Sequence, residues 1–336
     1  TSLWATAMGA DQRTTWQPVI ETAVIYAGEA FQNDDLKPGL SWLSRQAEEK
    51  GASRAYLLDY ARVLTSSAQT HLAAETTQQL TALIEHGLDA LAEDDPALAL
   101  LMMPNLFQPI IETLQRYSPY WQIEYQRRSA TAIAADVRAL VGFLADELTG
   151  INEGRFLTAV DMQRHYLMHQ GICTAYYQQL IDLAVEVLRP LLDEDSAERA
   201  TVALEAANAA LESENPLVLA MADRQDEIVT FVIDHLQKNH ADWVNNYPGG
   251  WDDATTDMYY WLGYLTDALT FNHPEYLAAH VGWLYDYGRQ RSNTGDHIRV
   301  SLIALGHGVK NYLPDHARSI LGVMQGALAR LPQTAG

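Results

Sequence analysis

Apolar residues along this chain return every three or four positions. From Ile133 the series runs through Val137, Leu140, Val141, Leu144 and Leu148, which lays one apolar stripe along a helix of about four turns. Segments of this kind follow one another down the chain, and no stretch of comparable length alternates like a strand. Helix-stopping and capping groups separate them: Asn33-Asp34-Asp35 with Pro38, Gly150 to Gly154, Asp193 to Ser196, Asn245 to Gly250, Asn272 to Pro274, and Pro314-Asp315. The pattern predicts an all-α protein.

Comparing the chain with itself adds organisation. Segments 38–91, 154–211 and 274–331 align in the same order, each with helix, break, helix, acidic turn and helix. Their last helices keep register at a spacing of 120, so that Ile84, Leu204 and Met324 correspond, as do Leu91, Leu211 and Leu331. Gly51 matches Gly171 and Tyr56 matches Tyr176 at the same spacing. A further amphipathic helix precedes each match, at roughly 16 to 31, 131 to 148 and 254 to 270, and before each stands a tryptophan: Trp4, Trp121 or Trp243. Units two and three carry extra helical sequence ahead of it, at 106–117 and 228–239. The reading is three tandem units, 1–95, 96–215 and 216–336, each globin-like or a four- or five-helix bundle.

Charge narrows the partners. With 22 Lys and Arg against 43 Asp and Glu the net charge is −21, which repels phosphate backbones and anionic lipid, so no nucleic-acid and no membrane partner is expected. A hydrophobic fraction of 48% is enough for a sizeable core. One cysteine, Cys173, excludes an internal disulfide and a cysteine-based zinc site. Residues 1–16 lack the order of a signal peptide, and no apolar run approaches the ~20 residues that span a bilayer. A cytoplasmic location is expected.

Candidate chemistry is sparse. Helical-bundle metal sites use Glu-x-x-His pairs, and none of the 11 histidines has Asp or Glu three positions before it. His165 and His169, four apart, share a helix face and are the best paired ligands in the chain. Asp252, Asp253 and Asp257 resemble a magnesium-binding acidic helix, but following Pro248-Gly249-Gly250 the first two read as the cap and first turn of a new helix. Cys173 stands one turn from His169 and reads as a buried thiol. Aromatic clusters, Tyr117, Tyr120, Trp121, Tyr125 and Trp251, Tyr259, Tyr260, Trp261, Tyr264, suit a planar ligand, a helix interface or core packing.

The middle unit from Asp161, with His165, Gly171, Ile172 and Tyr176 ahead of an amphipathic helix, resembles bacterial and sensor globins across the haem-ligating helix and the corner after it. The tail from Tyr287 to Leu331 is similar in helix pattern to the end of phycobiliprotein chains, which share that fold. The resemblance implies a globin-like fold and tetrapyrrole binding, haem or bilin, at His165, His169 and Tyr176. Two functions are weighed: a non-catalytic regulatory or scaffolding protein with a protein partner or self-association, and a tetrapyrrole sensor or carrier. A helical enzyme is third.

Overall fold

A computed structural model describes residues 12–104, 106–117, 130–151, 154–246, 249–290 and 296–331. Among the described residues are 16 α-helices and no strand, so the all-α class holds. In chain order they are α1 (Gln12–Asn33), α2 (Lys37–Glu49), α3 (Ala55–His71), α4 (Ala74–Ala92), α5 (Pro96–Leu101) and α6 (Gln108–Tyr117). Then come α7 (Ala130–Thr149), α8 (Phe156–His169), α9 (Thr174–Leu188), α10 (Glu194–Leu211), α11 (Pro216–Ala222) and α12 (Gln225–Asn239). The last four are α13 (Trp251–Thr270), α14 (Glu275–Gln290), α15 (Asp296–Tyr312) and α16 (Ala317–Arg330). No helix is long and apolar enough to cross a membrane among the described residues.

Helix boundaries recur with their chemistry. α2, α8 and α14 begin at Lys37, Phe156 and Glu275, so the spacing is 156 − 37 = 119 and 275 − 156 = 119. The long helices α1, α7 and α13 are each followed by a left-handed residue: Asp34 (φ 53°), Gly150 (φ 74°) and Asn272 (φ 49°). Glycine, Asn and Asp are the residues that adopt this conformation at least cost. After α2 and α8 the same role falls to Gly51 (φ 74°) and Gly171 (φ 78°). The N–H of Gly51 donates to Glu48 O at 2.9 Å and that of Ala52 to Ala47 O at 2.8 Å; Gly171 to Met168 O and Ile172 to Leu167 O, both 2.9 Å, repeat the pair. These bonds satisfy carbonyls that a helix end otherwise leaves open. α5 and α11 both start with proline behind a capping side chain: Asp95 accepts from Leu98 N at 3.0 Å and Asn215 from Leu217 N at 3.0 Å.

The positions aligned by periodicity are buried. Ile84, Leu204 and Met324 are no more than 3% exposed, and Leu91, Leu211 and Leu331 no more than 8%. In the first four helices Val19, Ala23, Ala27 and Ala30 form the inner stripe of α1, packed in one core with Leu40 and Leu43 of α2, Leu57 of α3 and Leu80, Ile84 and Leu88 of α4. Each leucine buried there contributes about 1.5–3 kcal/mol from water exclusion.

By contacts the chain divides into two compact units. The first comprises Thr1–Thr113, Arg128–Tyr166 and Leu180–Ala210; the second comprises Leu114–Arg127, Leu167–Gln179 and Leu211–Gly336. The boundaries pass within α8 and α9, because contacts group helices by what they touch, whereas the three sequence units group them by likeness. Trp4 and Trp121 lie outside the described residues. Trp243 is half-buried, its ring stacked on His240 at 4.1 Å and edge-on to His297 at 6.1 Å.

Candidate functional site

Two corners of the same construction, one in each compact unit, each hold a buried carboxylate. In the first, Gly142 of α7 meets the turn before α3: a Cβ there would lie 2.5 Å from both Ala55 Cβ and Ser53 Oγ, so only glycine admits this approach. One turn later Asp146, fully buried, accepts the Arg54 N–H at 3.3 Å. In the second, a Cβ on Gly263 of α13 would lie 2.9 Å from Ala175 Cβ and 3.2 Å from Cys173 Sγ, and Asp267, 3% exposed, accepts the Thr174 N–H at 2.7 Å. A carboxylate at the start of α3 or α9 meets N–H groups that have no partner within their own helix, at the positive end of the helix dipole. The segments Gly142-Phe-Leu-Ala-Asp146 and Gly263-Tyr-Leu-Thr-Asp267 match at a shift of 121.

The two corners differ in charge. Arg54, with a side chain 8% exposed, donates from Nε to Asp95 at 2.7 Å and from a terminal nitrogen to Glu48 at 3.2 Å. Burial works against its charge, while Asp95, Asp146 and Glu48 favour it; the guanidinium stays protonated, its pKa raised. At a shift of 120 the residues corresponding to Glu48, Arg54 and Asp95 are Met168, Thr174 and Asn215, so the second corner has lost both the cation and two of its carboxylates. A cavity of about 280 Å³ lies beside it.

That cavity is apolar inside and polar at its mouth. Met168, Ile172, Cys173 and Tyr264 are buried, whereas His169, His273 and Glu275 are exposed around the opening. Asp267 joins the buried wall and Tyr276 stands half-buried beside His273, the two rings stacked at 4.7 Å. The Tyr264 hydroxyl donates to Gly171 O at 2.8 Å and its ring stacks on His280 at 3.6 Å, which fixes the wall. No Lys or Arg is among the described residues that line it.

Of the three residues expected to hold a cofactor, one reaches this cavity. His169, in the last turn of α8, lines it. His165 turns to Asp161, with Nε2 3.7 Å from a carboxylate oxygen, and is not in the lining. Tyr176, fully buried, stacks on Tyr260 at 3.9 Å with the rings 1° from parallel, and is also outside the lining. Cys173 and His169 do not share a helix, since α8 ends at His169 and Gly171 turns the chain, yet both face the cavity.

The acidic run at 252–257 has a simpler role. Gly250 is the cap of α13, Asp252 and Asp253 lie in its first turn, and Asp253 accepts the Gly249 N–H at 2.6 Å. The cap residue is therefore glycine, where an aspartate was expected, because φ there is 69°. No group of three His, Cys, Asp or Glu side chains that could hold a metal exists among the described residues. Tyr120, Trp121 and Tyr125 lie outside those residues. Sequence reasoning picked out Tyr264 only as a member of an aromatic cluster and missed Asp267, His273, Glu275 and Tyr276; the repeated Gly-aromatic-Leu-x-Asp was the available signal for Asp267. No family model, no curated protein and no solved structure matches this chain.

Proposed function

We propose that the protein is a non-catalytic scaffold that assembles through its helical units, and that the outer face of α1 receives helices of a second copy. The observation carrying this reading is the contrast between α1 and the two helices that share its place. No residue from 133 to 149 of α7 is exposed, and between 251 and 270 only Asp252 and Tyr259 of α13 are. α7 has α3 and α5 against it, and α13 has α11 and α12 in addition to α14 and α16. Among the described residues the contacts of comparable extent that α1 makes are with α2 and α4, and Ile20 (46%), Val24 (53%), Ile25 (60%) and Phe31 (40%) are exposed. Beside them Gly28 has open space where a side chain would be. An apolar stripe of this kind marks an interaction surface. Light scattering at 0.15 M salt tests it: the wild-type mass should rise with concentration above that of a single chain, and a Val24→Asp, Ile25→Asp variant should remain at the single-chain mass. Equal masses for both proteins at every concentration would refute self-association by this face.

A second reading, a tetrapyrrole carrier, has support from His169 at the cavity mouth, although a cavity of about 280 Å³ is too small to enclose the macrocycle and leaves it only the mouth to occupy. The protein from its native source should then show a Soret or red bilin absorption band that the His169→Ala variant loses while His165→Ala keeps it.

A further inference from the structure

We propose that the cavity beside Gly171 binds a small uncharged aromatic molecule of the phenol or indole class, its ring among Met168, Ile172, Cys173 and Tyr264 and its polar edge toward the mouth. The inference is independent of the scaffold reading. The carboxylates and the buried hydroxyl of the lining are already engaged by the protein. Asp267 accepts the Thr174 N–H at 2.7 Å, Glu275 pairs with Arg330 at 2.6 Å, and the Tyr264 hydroxyl donates to Gly171 O at 2.8 Å. A charged ligand would give up its water here without gaining an opposite charge, which is costly, whereas a neutral one loses little.

The construction of the corner does not account for this apolar wall. At a shift of 120, Met168, Ile172 and Cys173 stand where the first corner has Glu48, Ala52 and Ser53. That corner makes the same glycine contact and buries the same kind of capping carboxylate with smaller and more polar residues. Two sulfur atoms and a branched side chain are thus particular to the second corner, and they select the ligand. Thioether and thiol sulfur make favourable contacts with aromatic rings, and Tyr264 adds a ring of its own to the wall. His169, His273 and Tyr276 carry the polar atoms of the rim, to which one hydroxyl or N–H on the ligand can bond. A volume of about 280 Å³ exceeds the ~150 Å³ of an apolar cavity that takes up benzene, so a substituted ring or a fused pair fits.

Fluorine NMR of para-fluorophenol mixed with the full chain at neutral pH, where a phenol is uncharged, tests the proposal. Saturable broadening of the fluorine line is expected, reversed by added phenol. Cyclohexanol, which carries the same hydroxyl on a saturated ring, should compete about two- to tenfold more weakly than phenol, the range for one sulfur–ring contact. Location is read from Cys173, the one cysteine of the sequence: phenol should slow its modification by methyl methanethiosulfonate to the extent that the sites are filled. Ala279→Trp, which changes an exposed lining residue, should abolish the broadening while the melting temperature stays near that of wild type. Broadening that does not saturate or that persists in folded Ala279→Trp, cyclohexanol competing as well as phenol, or a Cys173 rate that phenol leaves unchanged would each overturn the assignment.

Discussion

At the scale of single residues, the corners make the sharpest claims. Replacing Gly142 or Gly263 by Val forces a side chain into space already held by Ala55 and Ser53, or by Ala175 and Cys173, and should destabilise the fold by about 1–3 kcal/mol in denaturant titration. Asp146→Ala should cost a similar amount, about 1–3 kcal/mol, since it leaves the buried Arg54 N–H without its acceptor. Histidine 297 predicts a pH response. Burial lowers the pKa of His297 from 6.5 to about 4, beside the stacked pair of Trp243 and His240. Between those values the unfolded chain binds the proton and the folded chain does not, so stability is full above about pH 6.5 and falls as the pH drops toward 4. Denaturation midpoints measured from pH 7 to pH 4 should decline, and His297→Gln should decline less steeply.

At the scale of elements, much of this architecture is legible in the residues themselves. The three-and-four spacing of Ile133 to Leu148 specifies a helix because that spacing is the helix period, and α7 spans those residues. Gly51 and Gly171 declare helix ends because a β-carbon disfavours the left-handed turn they make. The candidate site is much less legible. His165 and His169 share a face by the helix period, but which of them meets a cavity depends on its surroundings: His165 has Asp161 one turn back on its own helix, whereas His169 meets the α13–α14 turn. His273, Glu275 and Tyr276 are about a hundred residues away in sequence, and nothing in local pattern ties them to Gly171. The pairing of Gly142 with Gly263 and of Asp146 with Asp267 was open to inspection at a shift of 121, yet periodicity scores apolar positions and passes over a glycine and an acid inside a helix.

At the scale of the whole molecule, the recurrence of helix starts, left-handed ends and buried corners makes a geometric prediction. In an experimental structure, α2 to α4 should superimpose on α8 to α10 and on α14 to α16 after shifts near 120 residues, and the loops between them should absorb the differences in length. Helices that fail to overlay at that shift would reduce the three units to a similarity of composition.

The corner contact also has a sense of direction. In each case a turn earlier in the chain is seated on a helix later in it: Ser53 to Ala55 on α7, and Cys173 to Ala175 on α13. Donor and receiver are different surfaces, so two chains that exchanged this contact about a twofold axis would make it twice, each turn seated on the other chain's helix. Association that made it only once between neighbouring molecules would instead be heterologous: each copy would offer one surface and accept the other, and the assembly would have a distinguishable head and tail. Such a series either closes as a ring, when the rotation per copy divides a full circle, or continues as a filament whose length is set by concentration. A soluble fragment carrying only the receiving helix face would therefore act as a chain terminator at one end and leave the other end growing.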